Sequence, residues 1–220
     1  MYRLFIIVSA LFLYQISYSQ SSYPDVVFET TAGKFTVRLY EDTPLHSENF
    51  LKLVKAGYYN GLLFHRVIKK FMIQTGDPNS RNAKPGVQLG YGGPSYTIPP
   101  EFVAKYYHKK GALAMARQGD NINPKKESNG SQFYIVEGIV FTNSQLDQMV
   151  QKGQHLPFSA QQRNDYTSIG GYPFLDYEYT VFGEVVQGLD VIDKIDNVAT
   201  DPNDRPLQDV KIIKAYILKK

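Results

Sequence analysis

The sequence predicts a mainly β fold, closed into a barrel and capped by two α-helices, and three observations carry that prediction. Apolar runs are short, turn formers (17 Gly and 12 Pro in 220 residues) fall between them, and only two helical patterns stand among the strand-like runs. About eight strands with two helices favour a closed sheet, because closure removes exposed strand edges. The length suits one domain, with or without an appendage, and a hydrophobic content of 43% supplies its core.

Val26–Thr30 and Lys34–Leu39 read as strands, and Thr31-Ala32-Gly33 between them supplies a hairpin turn. Thr43-Pro44 reads as an N-cap followed by proline at the first helical position. Phe50, Leu53 and Val54 share one helical face and Gly57 marks the stop, which predicts a helix near 44–56. Strand-like runs resume at 62–68, 71–75, 111–116, 132–137 and 179–186. A helix is expected at Leu189–Ile195 after Gly188, and a closing strand at Val210–Leu218. The stretch 138–173 is too long for a plain connection. Thr142–Val150 within it is helical in character, so we expect a docked helical insertion.

At the N-terminus, Arg3 precedes the apolar run Leu4–Tyr14, followed by Ser17-Tyr18-Ser19-Gln20. A charged start, a short apolar core and small residues before the cut describe a secretory signal, whereas a bilayer span needs about 20 residues. Cleavage is expected after Ser19, leaving a mature domain 20–220 that is exported to a periplasm; an uncleaved anchor is the alternative. The sequence has no cysteine, which excludes disulfides, thiol catalysis and an N-terminal lipid-modified cysteine. A net charge of +3 gives no reason to expect nucleic acid or a membrane surface as partner. No coiled-coil repeat appears, so a monomer is expected.

Motifs for nucleophilic hydrolysis, zinc proteolysis and phosphate or dinucleotide binding are absent, and His46, His65, His108 and His155 lack metal-ligand spacing. No metal or cofactor is expected. His65, within an apolar run, reads as a satisfied interior residue. In Phe64-His65-Arg66-Val67-Ile68, strand alternation puts Phe64, Arg66 and Ile68 on one face. An arginine among apolar residues needs a partner or a pocket mouth. By itself Arg66 fits a salt-bridged structural residue as well as a catalytic one.

Phe-His-Arg-Val-Ile at 64–68, Phe-Met-Ile-Gln-Thr-Gly-Asp at 71–77, Asn129-Gly130-Ser131-Gln132-Phe133-Tyr134-Ile135 and Val181-Phe182-Gly183 together resemble the cyclophilin family. The likeness runs from about Val26 to Leu218 and is broken mainly by 138–173. It implies an eight-stranded antiparallel barrel capped by two helices, and a peptidyl-prolyl cis/trans isomerase acting on proline-containing polypeptides. Carried over by position, Arg66 matches the catalytic arginine and Gln74 the glutamine that orients it. Phe71, Met72 and Leu175 match the apolar walls of the proline pocket, Ala116 lines the same groove, and Gln132 matches a substrate-backbone contact.

Four positions depart from the best-known eukaryotic pattern. Tyr134 replaces a pocket-floor Phe, Phe174 a Trp, Tyr179 a His and Arg117 an Asn that bonds substrate backbone. Loss of the indole N–H at Phe174 implies weak cyclosporin binding. The other reading from the sequence is a proline-peptide-binding chaperone or adaptor with little isomerase activity, its insertion serving as the recognition surface.

Overall fold

The structure is a computed structural model that describes residues 23–218, so the expected signal segment, 1–19, lies outside the described residues. In chain order the elements are β1 (Val26–Thr30), β2 (Gly33–Leu39), α1 (Pro44–Lys55), β3 (Arg66–Ile68), β4 (Met72–Thr75), β5 (Thr97–Ile98) and β6 (Ala112–Met115). There follow β7 (Ser128–Asn129), β8 (Phe133–Val136), α2 (Asn143–Gln151), α3 (Ala160–Ser168), β9 (Val181–Gln187), α4 (Leu189–Asp196) and β10 (Ile212–Ile217). Eight strands form one antiparallel sheet in the order β10-β1-β2-β9-β6-β8-β4-β3, while β5 and β7 pair separately.

The sheet is curled, but a continuous ladder does not close it, which corrects the expected closed barrel. Its edge strands, β10 and β3, are unpaired with each other. The residues ahead of β3 meet the start of β10 through the Leu63–Lys211 bridge and the bonds Gly61 N–H to Ile212 O (2.7 Å), Phe64 N–H to Val210 O (2.9 Å) and Ile212 N–H to Leu62 O (2.8 Å). The run 62–68 therefore splits. Leu62–Phe64 turns toward the segment before β10, and only Arg66–Ile68 pairs with β4.

Inward-facing residues fill the curl. Phe28 stacks on Phe35 across the β1–β2 hairpin at 5.0 Å, and Phe50 of α1 meets Phe133 and Phe182 edge-on at 5.3 Å each. Such offset and edge contacts suit the ring quadrupole. Helix α1 packs on β9 and β10, and α4 on β2, β3 and β4, so each covers part of the sheet. Proline stands at the first turn of α1 as expected, but Thr43 makes no side-chain cap. The carboxylate of Glu101 serves instead, accepting from the N–H groups of Leu45 and His46 at 3.1 Å each. An anion there meets both the orphan donors and the positive end of the helix dipole.

Four α-helices, rather than two, lie among the described residues, because α2 and α3 build the insertion. Each begins with a capping box, Thr142 with Gln145 and Ser159 with Gln162. The insertion leaves and returns through a narrow neck, where Gly171 bridges both Lys109 and Ile139. A Cβ on Gly138 would sit 2.1 Å from Gly171 O, and one on Gly171 2.2 Å from His108 O, so no larger residue fits the crossing. Phe141, Leu146, Met149 and Tyr166 form a small separate core with Tyr107 of the main body. The 36 residues 138–173 thus interrupt the chain without disturbing the sheet.

Candidate active site

A cavity of about 410 Å³ opens on the outer face of β3, β4 and β8. Antiparallel register sets Arg66 of β3 opposite Gln74 of β4, and Gln74 opposite Tyr134 of β8. All three line the cavity, as do Phe71, Met72, Ala116, Arg117, Leu175 and Tyr179. Beneath it a second apolar cluster joins Met72 and Tyr134 to Ala112, Ala114, Val136 and Val181, with Phe71, Ala116 and Leu175 packed against it. Nine of the eleven residues expected at the site from the sequence line this cavity.

Two lie elsewhere. Phe174 is 44% exposed and packs on Tyr172 and Phe141, outside the lining. Gln132 is buried just behind the rim, where its amide donates to Gly90 O (2.9 Å) and Gly92 O (2.6 Å). It holds the glycine-rich loop that forms the opposite wall.

The partners of three residues also differ from expectation. Gln74 donates through its amide to Gln132 Oε1 at 2.9 Å. Arg66 donates through Nε to Asp204 Oδ2 at 3.3 Å. Both side chains of that pair are well exposed, Arg66 at 44%, and exposed pairs of this kind are worth about 0–1 kcal/mol. The guanidinium is tethered but free to exchange partners. Arg117 is only 4% exposed and is spent on the protein. It donates to Glu178 O, Glu178 Oε2, Gln118 O and Asp120, and its guanidinium stacks 4.6 Å from the Tyr179 ring. These contacts fix Tyr179 and the turn before it.

Other lining residues gave no sequence signal. The segment Gly86–Tyr91 forms one wall, and Asp201, Asn203 and Arg205 another. Arg205 is buried and donates to Ala83 O, Lys84 O and Val87 O, tying the two walls together across the chain. Asp77 reaches from the end of β4 to the Gly90 N–H at 2.5 Å and holds the same loop. Among the described residues no group of three or more side chains is placed to hold a metal ion.

Residues 25–217 match the sequence profile of the cyclophilin type peptidyl-prolyl cis-trans isomerases. The chain belongs to the cyclophilin family. Among its relatives, a "Putative peptidyl-prolyl cis-trans isomerase" of Staphylococcus saprophyticus is 37% identical over 195 residues, covering 88% of this chain and 91% of that protein. One of the same name from Staphylococcus aureus is 38% identical over 188 residues, covering 85% and 88%. A crystal structure of a cyclophilin type peptidyl-prolyl cis-trans isomerase of Cryptosporidium parvum superposes with a TM-score of 0.64 at 26% identity, covering 90% of this chain and 99% of that one. The same protein was solved in the presence of the dipeptide Ala-Pro, and that structure superposes with a TM-score of 0.63 at 25% identity, over 89% of this chain and 99% of its own.

Within this cyclophilin one buried group stands apart. His65 lines the cavity with neither ring nitrogen partnered, contrary to the satisfied interior residue expected. Burial lowers its pKa to about 4, against a weaker opposing pull from Asp77. The folded protein then binds fewer protons than the unfolded chain between pH 6.5 and 4, so stability rises with pH across that window. Unfolding free energy measured by denaturant titration should fall by on the order of 3 kcal/mol as the pH drops from 7 to 4 on this account. His65→Gln should flatten most of that slope; an unchanged slope would show that the dependence arises elsewhere.

Proposed function

We propose that the cavity is the proline site of an exported isomerase, with Arg66 as the donor that favours the twisted peptide bond. The observation that carries this reading is the register row in which Arg66, Gln74 and Tyr134 face one cavity walled by Phe71, Met72 and Leu175. Amide resonance sets a rotational barrier of about 18–20 kcal/mol, and rotation before proline takes roughly 10–100 s unaided. A turnover near a millisecond needs a factor of ~10⁴–10⁵, or about 5.5–7 kcal/mol off the barrier.

Resonance is lost as the bond twists, and the prolyl nitrogen becomes pyramidal and able to accept a hydrogen bond. Nothing need be made or broken covalently. Arg66, held through Nε by Asp204, keeps its terminal nitrogens for that acceptor. One charge-assisted bond contributes about 1.5–3 kcal/mol, less than half of the requirement. The remainder comes from clamping the proline ring on the apolar wall while the preceding carbonyl turns, so that binding energy favours the twisted form. Clients are proline-containing polypeptides, and the protein acts on them after export, following removal of 1–19.

Three outcomes follow. Arg66→Ala should lower kcat/KM in a proline isomerisation assay by roughly 10–150-fold, the loss of one charge-assisted bond. An equally fast variant contradicts the role given to Arg66. Cyclosporin should bind weakly, since Phe174 carries no N–H donor and lies outside the cavity; a nanomolar Kd by calorimetry contradicts that. Intact-mass spectrometry of exported protein should show a chain beginning at Gln20, and a mass retaining 1–19 contradicts cleavage.

A further inference from the structure

The insertion and the proline site share a buried carboxylate. Asp176, 1% exposed at its side chain, follows the short 3-10 turn that ends the insertion. Its Oδ1 accepts from the backbone N–H of His108 (2.8 Å) and from ring Nδ1 of the same residue (2.9 Å). Its Oδ2 accepts from the hydroxyl of Tyr166 on α3 (2.6 Å) and from Nε2 of His155 (3.0 Å). Burial opposes ionisation of Asp176, but the bonds from His108 and His155 outweigh it and hold the carboxyl below its ordinary value. On the far side, His108 Nε2 lies 2.9 Å from the hydroxyl of Tyr134 at the cavity floor.

The proton positions follow from the acceptors. Both ring nitrogens of His155 face acceptors, Leu156 O and Asp176 Oδ2. The Asp176 carboxylate can only accept, so the neutral His108 ring carries its single proton on Nδ1. Nε2 is then an acceptor, and the Tyr134 hydroxyl must donate to it.

We infer that the insertion is a working part of the proline site: through Asp176 and His108 it holds the Tyr134 hydroxyl proton turned away from the cavity. This rests on the isomerase reading above. A tyrosine floor whose O–H faced a bound proline ring would leave a donor buried without a partner. Directed at His108, the same hydroxyl is satisfied, and the floor presents an aromatic ring to the apolar ligand. Tyr134 is thus a specificity-determining residue. His108, Asp176 and Tyr166 are positioning residues that act through it.

The test combines kinetics with spectroscopy. KM and kcat for a proline peptide are measured for His108→Leu and Tyr166→Phe, each alone and together with Tyr134→Phe. Losing the acceptor should raise KM by ~10-fold in His108→Leu, and loosening Asp176 should raise it by ~2–5-fold in Tyr166→Phe, with kcat little changed. Both penalties should vanish in the Tyr134→Phe background, because no hydroxyl is left to misplace. Unchanged KM values, or penalties that persist without the hydroxyl, overturn the proposal. Tyr166→Phe loses one oxygen and keeps the test valid where His108→Leu does not fold. Independently of any turnover, histidine ¹⁵N shifts at pH 8 should show His108 protonated at Nδ1 alone. A doubly protonated His108 overturns the network as drawn. A wild-type protein inert toward proline peptides would refute the isomerase reading and leave the ¹⁵N result to decide the network.

Discussion

The site depends on one row of strand pairings. Arg66 faces Gln74 across β3 and β4, Gln74 faces Tyr134 across β4 and β8, and Tyr134 faces Ala114 across β8 and β6. Side chains alternate along a strand, so a slip of one residue would turn each of these to the other face. The row is held in register by what lies beneath it, where Val67, Ile73 and Ile135 point into the core and pair with each other across the same strands. Core packing therefore decides where the donor stands, although Val67, Ile73 and Ile135 themselves do not line the cavity.

Local order was legible because it is written in neighbouring residues. All eight main strands, both capping helices and the helical character of the insertion follow from periodicity and turn formers, within a residue or two at most ends except at β3. The pairing partners of charged side chains were not legible, because those partners lie far away in the chain. Glu101 caps a helix that begins at Pro44, Asp204 tethers Arg66, and Arg205 holds a loop near residue 84. The closed barrel failed for a related reason. Strand count alone does not reveal that the run 62–68 divides between two neighbours. Family resemblance named nine residues that line the cavity, but the protein partners of Gln74, Gln132 and Arg117 were not legible from it.

Those occupied groups change the energetic picture of the site. Arg117, Gln132 and Asp77 spend their polar atoms on holding the walls, so the cavity offers a bound chain few free donors beyond Arg66. Weak backbone recognition with a firm grip on an apolar ring suits an enzyme of broad clientele. It also places most of the barrier reduction on shape. A flexible polar cavity could bind a peptide, but only a rigid wall can hold one end of the bond while the other rotates. The buried bonds that link Tyr134, His108, Asp176 and Tyr166 supply rigidity to that wall from the insertion.

The central claim is that this cavity turns over the prolyl bond rather than merely holding proline. Exchange spectroscopy on a short Ala-Pro peptide with a catalytic amount of protein reads that directly, because cis and trans forms give separate resonances. The account predicts cross-peaks between the two isomers at mixing times far shorter than the roughly 10–100 s of the free peptide. Shifts confined to the cavity residues, with no cis–trans cross-peaks, would mean a binding module and contradict it.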